Sequence, residues 1–219
     1  MNVLKKLSVS IVSLSMLGGF IFSPVTAKAA ENVDGNDYKI QNGITIDINS
    51  ADVKVSEVMT YDELVDKIAK DQGISIEEVQ KTIKPKELKI TRDNIQPRAG
   101  TYRTFSYSLP VNSSYKPSVE FYCETSEWGN WHGIERVLNV SMNRGYNGLS
   151  KIFNGSIYVN LERADTIYFI ANGDFYNQGS VTVGVGVDIP VGGTNTVKFN
   201  ASYTSSYYGY IYKADRIYW

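Results

Sequence analysis

Cysteine and histidine are nearly absent from this sequence: Cys123 and His132 are the only residues of their types. One cysteine cannot close an intramolecular disulfide, so the fold must rest on packing. One histidine cannot build a histidine-based metal site by itself. There is no Gly-x-Ser-x-Gly elbow, no His-Glu-x-x-His pair, no phosphate-cradling glycine loop and no zinc spacing. Beyond the first thirty residues no stretch is apolar enough to span a membrane. Positive charge is also scarce. With three of the 22 basic residues in the leader, 19 bases face 23 acids, a net charge of −4 after cleavage. That balance leaves no electrostatic footprint for nucleic acid.

The leader itself is well marked. Lys5 and Lys6 precede the apolar run Leu7 to Phe22, and Ala27-Lys28-Ala29 is a small-x-small cleavage signal. The pattern predicts a secretory signal peptide over residues 1–29, cut between Ala29 and Ala30. No cysteine stands near the cut, so a lipid-anchored form is excluded. The expected location is secreted, extracellular or loosely cell-wall-associated. Export without disulfides suits a Gram-positive exterior.

Composition then changes along the mature chain. Glu31 to Arg98 carries 14 acids and 10 bases in 68 residues, whereas Ala99 to Trp219 carries 9 and 9 in 121. Fourteen of the 16 tyrosines follow Gly100. The joint falls at "DNIQPRAG". The expected organisation is a flexible linker over 30–58, a helical hairpin over 59–84, a second linker over 85–99 and a Tyr-rich β-domain over 100–219. Whether 30–98 is removed as a propeptide stays open. In the first linker "DGND" has too few alternating oxygen ligands for a calcium loop, and "ITIDI" reads as a short strand.

"TYDELVDKIAKDQGISIEEVQKTIKP" predicts two short helices. Thr60 with Glu63 and Ser75 with Glu78 form capping boxes, Gly73 suits a left-handed C-cap and Pro85 ends the second helix. Ala69, Gly73 and Val79 sit at helix-turn-helix offsets, but the would-be recognition helix opens with two glutamates that phosphate repels. "IAKDQGISIEEVQKTIKPKELKI" resembles the helix–helix–strand part of a LysM peptidoglycan-binding module. The Gly-Asp-Thr that opens that module is replaced by "VMTYDEL".

From Thr101 the apolar period becomes two. Phe153, Gly155, Ile157, Val159 and Leu161 alternate with polar residues. Leu138, Val140 and Met142 alternate with Val137, Asn139 and Ser141. Val181 to Val191 alternates with small residues. Turn signals such as "NRGYNG", "NGD" and "VGGTN" separate the runs. About eight strands are expected, at 101–109, 117–125, 134–143, 151–162, 165–172, 179–189, 195–204 and 207–213. The fold class is therefore mainly β: an antiparallel, jelly-roll-like β-sandwich preceded by a small α-helical hairpin.

Cys123 shares a strand face with Val119 and Phe121, which predicts burial rather than nucleophilic duty. His132 lies nearby in the expected loop "SEWGNWHG". Glu124, Glu127, Glu135 and Asp174 are candidate carboxylates for a hydrolytic pair. No residue is assigned as catalytic, metal-binding or cofactor-binding, and no cofactor is expected. The binding candidates are aromatic. Trp128 and Trp131 sit in the glycine-bearing loop, and Tyr208, Tyr210 and Tyr212 share one face of the last strand. Flat rings with a polar edge stack on sugars and anchor protein interfaces.

The hairpin followed by a β-domain carrying "EFYCETS", "NGDFYNQG" and "YYGYIYKADRIYW" resembles a domain-of-unknown-function family of secreted proteins of Gram-positive bacilli. The resemblance implies an address and an architecture, and no activity. The expected function is non-enzymatic binding of a cell-surface glycan, cell wall or protein through the β-domain's aromatic side chains. One alternative is a β-pore-forming or toxin-like protein, motivated by the alternating stretch Val181 to Ser202. The other is a secreted hydrolase using an unrecognised carboxylate pair.

Overall fold

The computed structural model of the chain describes residues 38–41, 44–47, 52–85, 100–129, 131–182 and 186–219. The leader with Ala29 and Ala30, and residues 86–99 of the second linker, lie outside the described residues. The described chain is mainly β, with antiparallel sheets and two helices. None of its helices is long and apolar enough to cross a membrane.

Part of the 30–58 segment is structured. Strands β1 (Tyr38–Gln41) and β2 (Ile44–Asp47) pair with each other, and β3 (Val53–Val55) joins the sheet described below. Both helices, α1 (Tyr61–Gln72) and α2 (Ile76–Thr82), carry the expected capping boxes, from Thr60 with Glu63 and Ser75 with Glu78. Gly73 closes α1 in the left-handed conformation, φ +69°, which a side chain would disfavour.

The β-rich part begins with β4 (Thr101–Ser108), β5 (Ser118–Trp128) and β6 (Trp131–Asn143), followed by the short β7 (Gly145–Tyr146) and β8 (Leu149–Ser150). Then come β9 (Ile152–Arg163), β10 (Thr166–Thr182), β11 (Ile189–Pro190) and β12 (Thr194–Tyr218). One sheet has the order β11-β6-β5-β4-β3. Strands β9, β10 and β12 close into a barrel. Two expected strands, 165–172 and 179–189, are replaced by the single β10, which stops at Thr182. The last two, 195–204 and 207–213, are one continuous β12.

Closure of the barrel depends on a bend in β12. Its first residues pair with β9, from Thr194 opposite Asn160 to Phe199 opposite Gly155. The remainder pairs with β10, from Asn200 opposite Thr182 to Tyr218 opposite Thr166. Because β9 and β10 are themselves antiparallel, a straight strand could not run antiparallel to both. Where β9 and β10 approach most closely, Gly155 stands opposite Gly173. A Cβ on Gly155 would run into the Asn172 carbonyl oxygen and lie 2.6 Å from the Gly173 Cα. The Phe153 ring lies against this glycine pair.

The barrel and the five-stranded sheet bury their apolar residues in one core. Phe169 of β10 packs edge-on to Tyr107 at 4.9 Å and tilted to Phe121 at 5.4 Å between ring centroids. Cys123 is fully buried in this core. A second cluster lies on the other face of the sheet. There Leu64, Val65, Ile68, Val79 and Ile83 of the helical hairpin cover Tyr102, Tyr122 and Leu138.

Leu138 departs from the expected alternation with Val140 and Met142. The register slips between Tyr122 and Cys123, so β6 carries one extra residue there. That bulge sends Leu138 to the helices while Val137, Val140 and Met142 enter the main core.

Polar groups also meet under the hairpin. The Tyr122 hydroxyl donates to Asp71 at 2.7 Å, Lys67 pairs with Asp71 at 2.8 Å, and the Gln72 amide donates to Asn139 at 2.8 Å. Nearby Glu120 is buried and accepts hydrogen bonds from Ser106 and Ser118. Desolvation raises its carboxyl above the ordinary value, more than the two serine hydrogen bonds and Lys67 lower it.

Two predictions follow from these contacts. Gly155→Ala forces a methyl group into backbone and should cost about 1–3 kcal/mol or more, as overpacking does. A denaturant melt of the variant indistinguishable from wild type would contradict the close approach. For Glu120 the sign is set by its raised folded-state pKa. Its stabilising share is complete below the unfolded pKa and is lost as pH rises through the folded one. Glu120→Gln should therefore gain stability relative to wild type as pH rises from 4 to 8. Parallel melting curves across that range would show that Glu120 titrates normally.

Candidate aromatic binding surfaces

The stretch around Trp128 is strand almost throughout. β5 and β6 are antiparallel neighbours in which Trp128, the last residue of β5, pairs with Trp131, the first of β6. His132, expected in a loop, is thus a strand residue opposite Glu127. The two tryptophans are 72% and 57% exposed, the largest apolar side chains left so open among the described residues. Trp131 is seated by its neighbours: its ring lies over Gly133, where a Cβ would meet it at 3.2 Å.

The third tryptophan, Trp219, belongs to the same pole of the molecule. Its ring contacts His132 at 4.6 Å and Phe105 at 5.2 Å between centroids, and the Arg103 guanidinium lies 5.7 Å from its centre. Its backbone N–H donates to the Asp165 carbonyl at 2.9 Å. Nothing in the spacing of the sequence singles it out, because its partners come from β4, β6 and the β9–β10 turn.

The exposed tyrosines of β12 are not the expected set. Tyr210 and Tyr212 point outward from the barrel and are 52% and 59% exposed. Tyr208 does not join them. Gly209 pairs with Phe175 and Tyr207 with Tyr176, so Tyr208 is the extra residue of a bulge. It turns inward against Tyr115 at 5.4 Å, its hydroxyl accepts from Asn112 at 3.2 Å, and Lys151 lies 4.4 Å from its ring centre. Tyr207 takes its place outside, 61% exposed, with its ring 6.1 Å from that of Tyr176. The outer face therefore has three rungs across β12 and β10: Tyr212 beside Asn172, Tyr210 beside Asp174 and Tyr207 beside Tyr176. Tyr210 also donates to Asn172 at 2.9 Å.

The two aromatic surfaces are separate. Tyr218, which pairs at the turn next to the tryptophan pole, stands six residue steps along β12 from Tyr212, about 20 Å at the usual strand rise.

The candidate carboxylates are divided among different partners. Glu124 is buried and paired with Arg136 at 2.5 Å. Glu127 accepts two hydrogen bonds from Arg103, at 2.8 and 2.9 Å, and that pairing holds its carboxyl below the ordinary range. Asp174 faces the tyrosine rungs. Among the described residues no group of three His, Cys, Asp or Glu side chains is placed to hold a metal ion.

The stretch Val181–Ser202 is not one paired hairpin. Only Val181 and Thr182 continue β10, residues 183–185 lie outside the described residues, and Gly186–Asp188 form no strand. Ile189 is buried and pairs with Val137 of β6. From Thr194 the chain returns to β9.

Cys123 and His132 are likewise apart, the thiol inside the core and the imidazole exposed on Trp219. Burial pushes the thiol well above its ordinary pKa. A thiol reagent should therefore label the native protein only as fast as it unfolds, and rapidly in denaturant. Stoichiometric labelling of the folded chain within seconds would contradict this placement.

Comparison with known proteins returned no matching family model, no matching curated protein and no matching solved structure.

Proposed function

We propose that this chain is an exported, non-enzymatic binding protein that attaches to an extracellular surface through exposed aromatic side chains. In this reading the β-rich part is a jelly-roll-like sandwich, formed by the five-stranded sheet and the barrel around their shared core. One observation carries the functional reading. Trp128 and Trp131, the largest side chains the code offers, pair across the ends of β5 and β6 and are both mostly exposed. Leaving such rings open has a cost in water, and tryptophans paired at strand ends are the kind of anchor that dominates interfaces. The binding reading is further supported by the carboxylates. Glu124 and Glu127 are each engaged by a different arginine, so they do not stand as an acid and base about a shared space.

Purified Gram-positive cell walls provide the test. The mature protein should sediment with them. Replacing both Trp128 and Trp131 by Ala should lower the affinity at least about thirtyfold, the scale of a truncated hot spot. The melting curve should change little, because the rings lie outside the core. If the double variant sediments like wild type, the tryptophans are not the anchor.

A further inference from the structure

We infer that the outer face of the β10–β12 wall binds a neutral polysaccharide, with Tyr207, Tyr210 and Tyr212 as stacking platforms and Asn172 and Asp174 as its hydrogen-bonding partners. The inference rests on the reading of the chain as an extracellular binding protein. It does not depend on the tryptophan pole.

The rings are held in a row by backbone pairing. Tyr207, Tyr210 and Tyr212 are each more than half exposed, and each stands at a fixed register position on β12. The bulge at Tyr208 matters here, because it brings Tyr207 onto the face and beside Tyr176. Along a strand such rings repeat about every 7 Å for alternate residues. The neighbouring positions on β10 are not apolar. They carry the Asn172 amide and the Asp174 carboxylate.

Rings interleaved with amide and carboxylate suit a ligand that has apolar faces and hydroxyl edges. Sugar C–H faces stack on the rings, while an amide and a carboxylate exchange hydrogen bonds with hydroxyls at the sugar's rim. A second copy of this chain fits less well, since an isologous contact would bury Asp174 against its own image.

Charge narrows the class. Within the rungs the only ionised group is Asp174. Of the nearby cations, Arg216 is held by Glu162 at 2.8 Å and Lys213 pairs with Asp215 at 2.8 Å beneath the wall, while Lys151 lies at the Tyr208 end of the row and donates to the Asn177 amide at 2.7 Å. Lys198 stands opposite Ser156 on β9, on the far side of β10 from the tyrosine rungs. A polyanion would thus meet a carboxylate at the centre of the face, and a neutral chain meets no such opposition.

Pelleting of the mature chain with chitin and with cellulose, and gel retardation in dextran sulfate as a polyanion, tests the assignment. Wild type should bind at least one neutral polymer more tightly than dextran sulfate. Tyr210→Ala and Tyr212→Ala should each weaken that binding about tenfold. Both side chains are outside the core, so melting temperatures should stay within a few degrees. The inference is overturned if neither neutral polymer is bound, if dextran sulfate is preferred, if the tyrosine variants bind like wild type, or if they convert a dimer into a monomer. Tryptophan-dependent wall binding without polysaccharide binding overturns this inference alone. Tyrosine-dependent polysaccharide binding without wall binding overturns the tryptophan anchor alone.

Discussion

The five-stranded sheet is apolar on both faces, and that requirement organises the molecule. On one side Phe105, Tyr107, Phe121 and Val140 need a cover, and the barrel supplies it. On the other side Tyr102, Tyr122 and Leu138 need another, and the helical hairpin supplies it. A sheet packed on both faces cannot leave either layer optional, because exposing a ring such as Tyr122 would forfeit about 1.5–3 kcal/mol of apolar burial. The helical hairpin and the β-rich part thus share one scaffold. The acidic hairpin is soluble on its outer surface and apolar where it meets the sheet.

Covering one face of the barrel leaves the other to water. The wall formed by β10 and β12 is bound inward to the core through Phe169, Phe175 and Ile211. Its outward positions lie outside the core, which is where tyrosine, asparagine and aspartate accumulate. The polar interior groups follow a different logic. Glu124 with Arg136 and Tyr107 with Asp215 and Lys213 are buried or half-buried clusters in which each charge has its counterpart. Glu120 is the exception, a buried carboxyl met by hydroxyls alone at its hydrogen-bonding atoms.

How much of this the sequence reveals depends on the range of the interaction involved. The helix caps are legible because Thr60 with Glu63 and Ser75 with Glu78 act within a single turn. The inward placement of Cys123 is legible because alternation with Val119 and Phe121 is local as well. Bulges are not. One additional residue in β6 reassigns Leu138, and one in β12 exchanges Tyr208 for Tyr207, without any mark in composition. The triplet Asn172-Gly173-Asp174 resembles a turn, yet lies mid-strand, because Gly173 is needed for close approach to Gly155. The pole around Trp219 is assembled from three distant segments, so no window of sequence contains it.

The hairpin that ends in Trp128 and Trp131 also constrains the shape of what it can touch. Side chains paired across two strands start about 5 Å apart. A flat group inserted between two rings needs about 3.5 Å of clearance on each side, some 7 Å altogether. Side chains that start so close, with the Trp131 ring turned back over Gly133, present a blunt wedge whose flanks and tip suit a concave or yielding substrate.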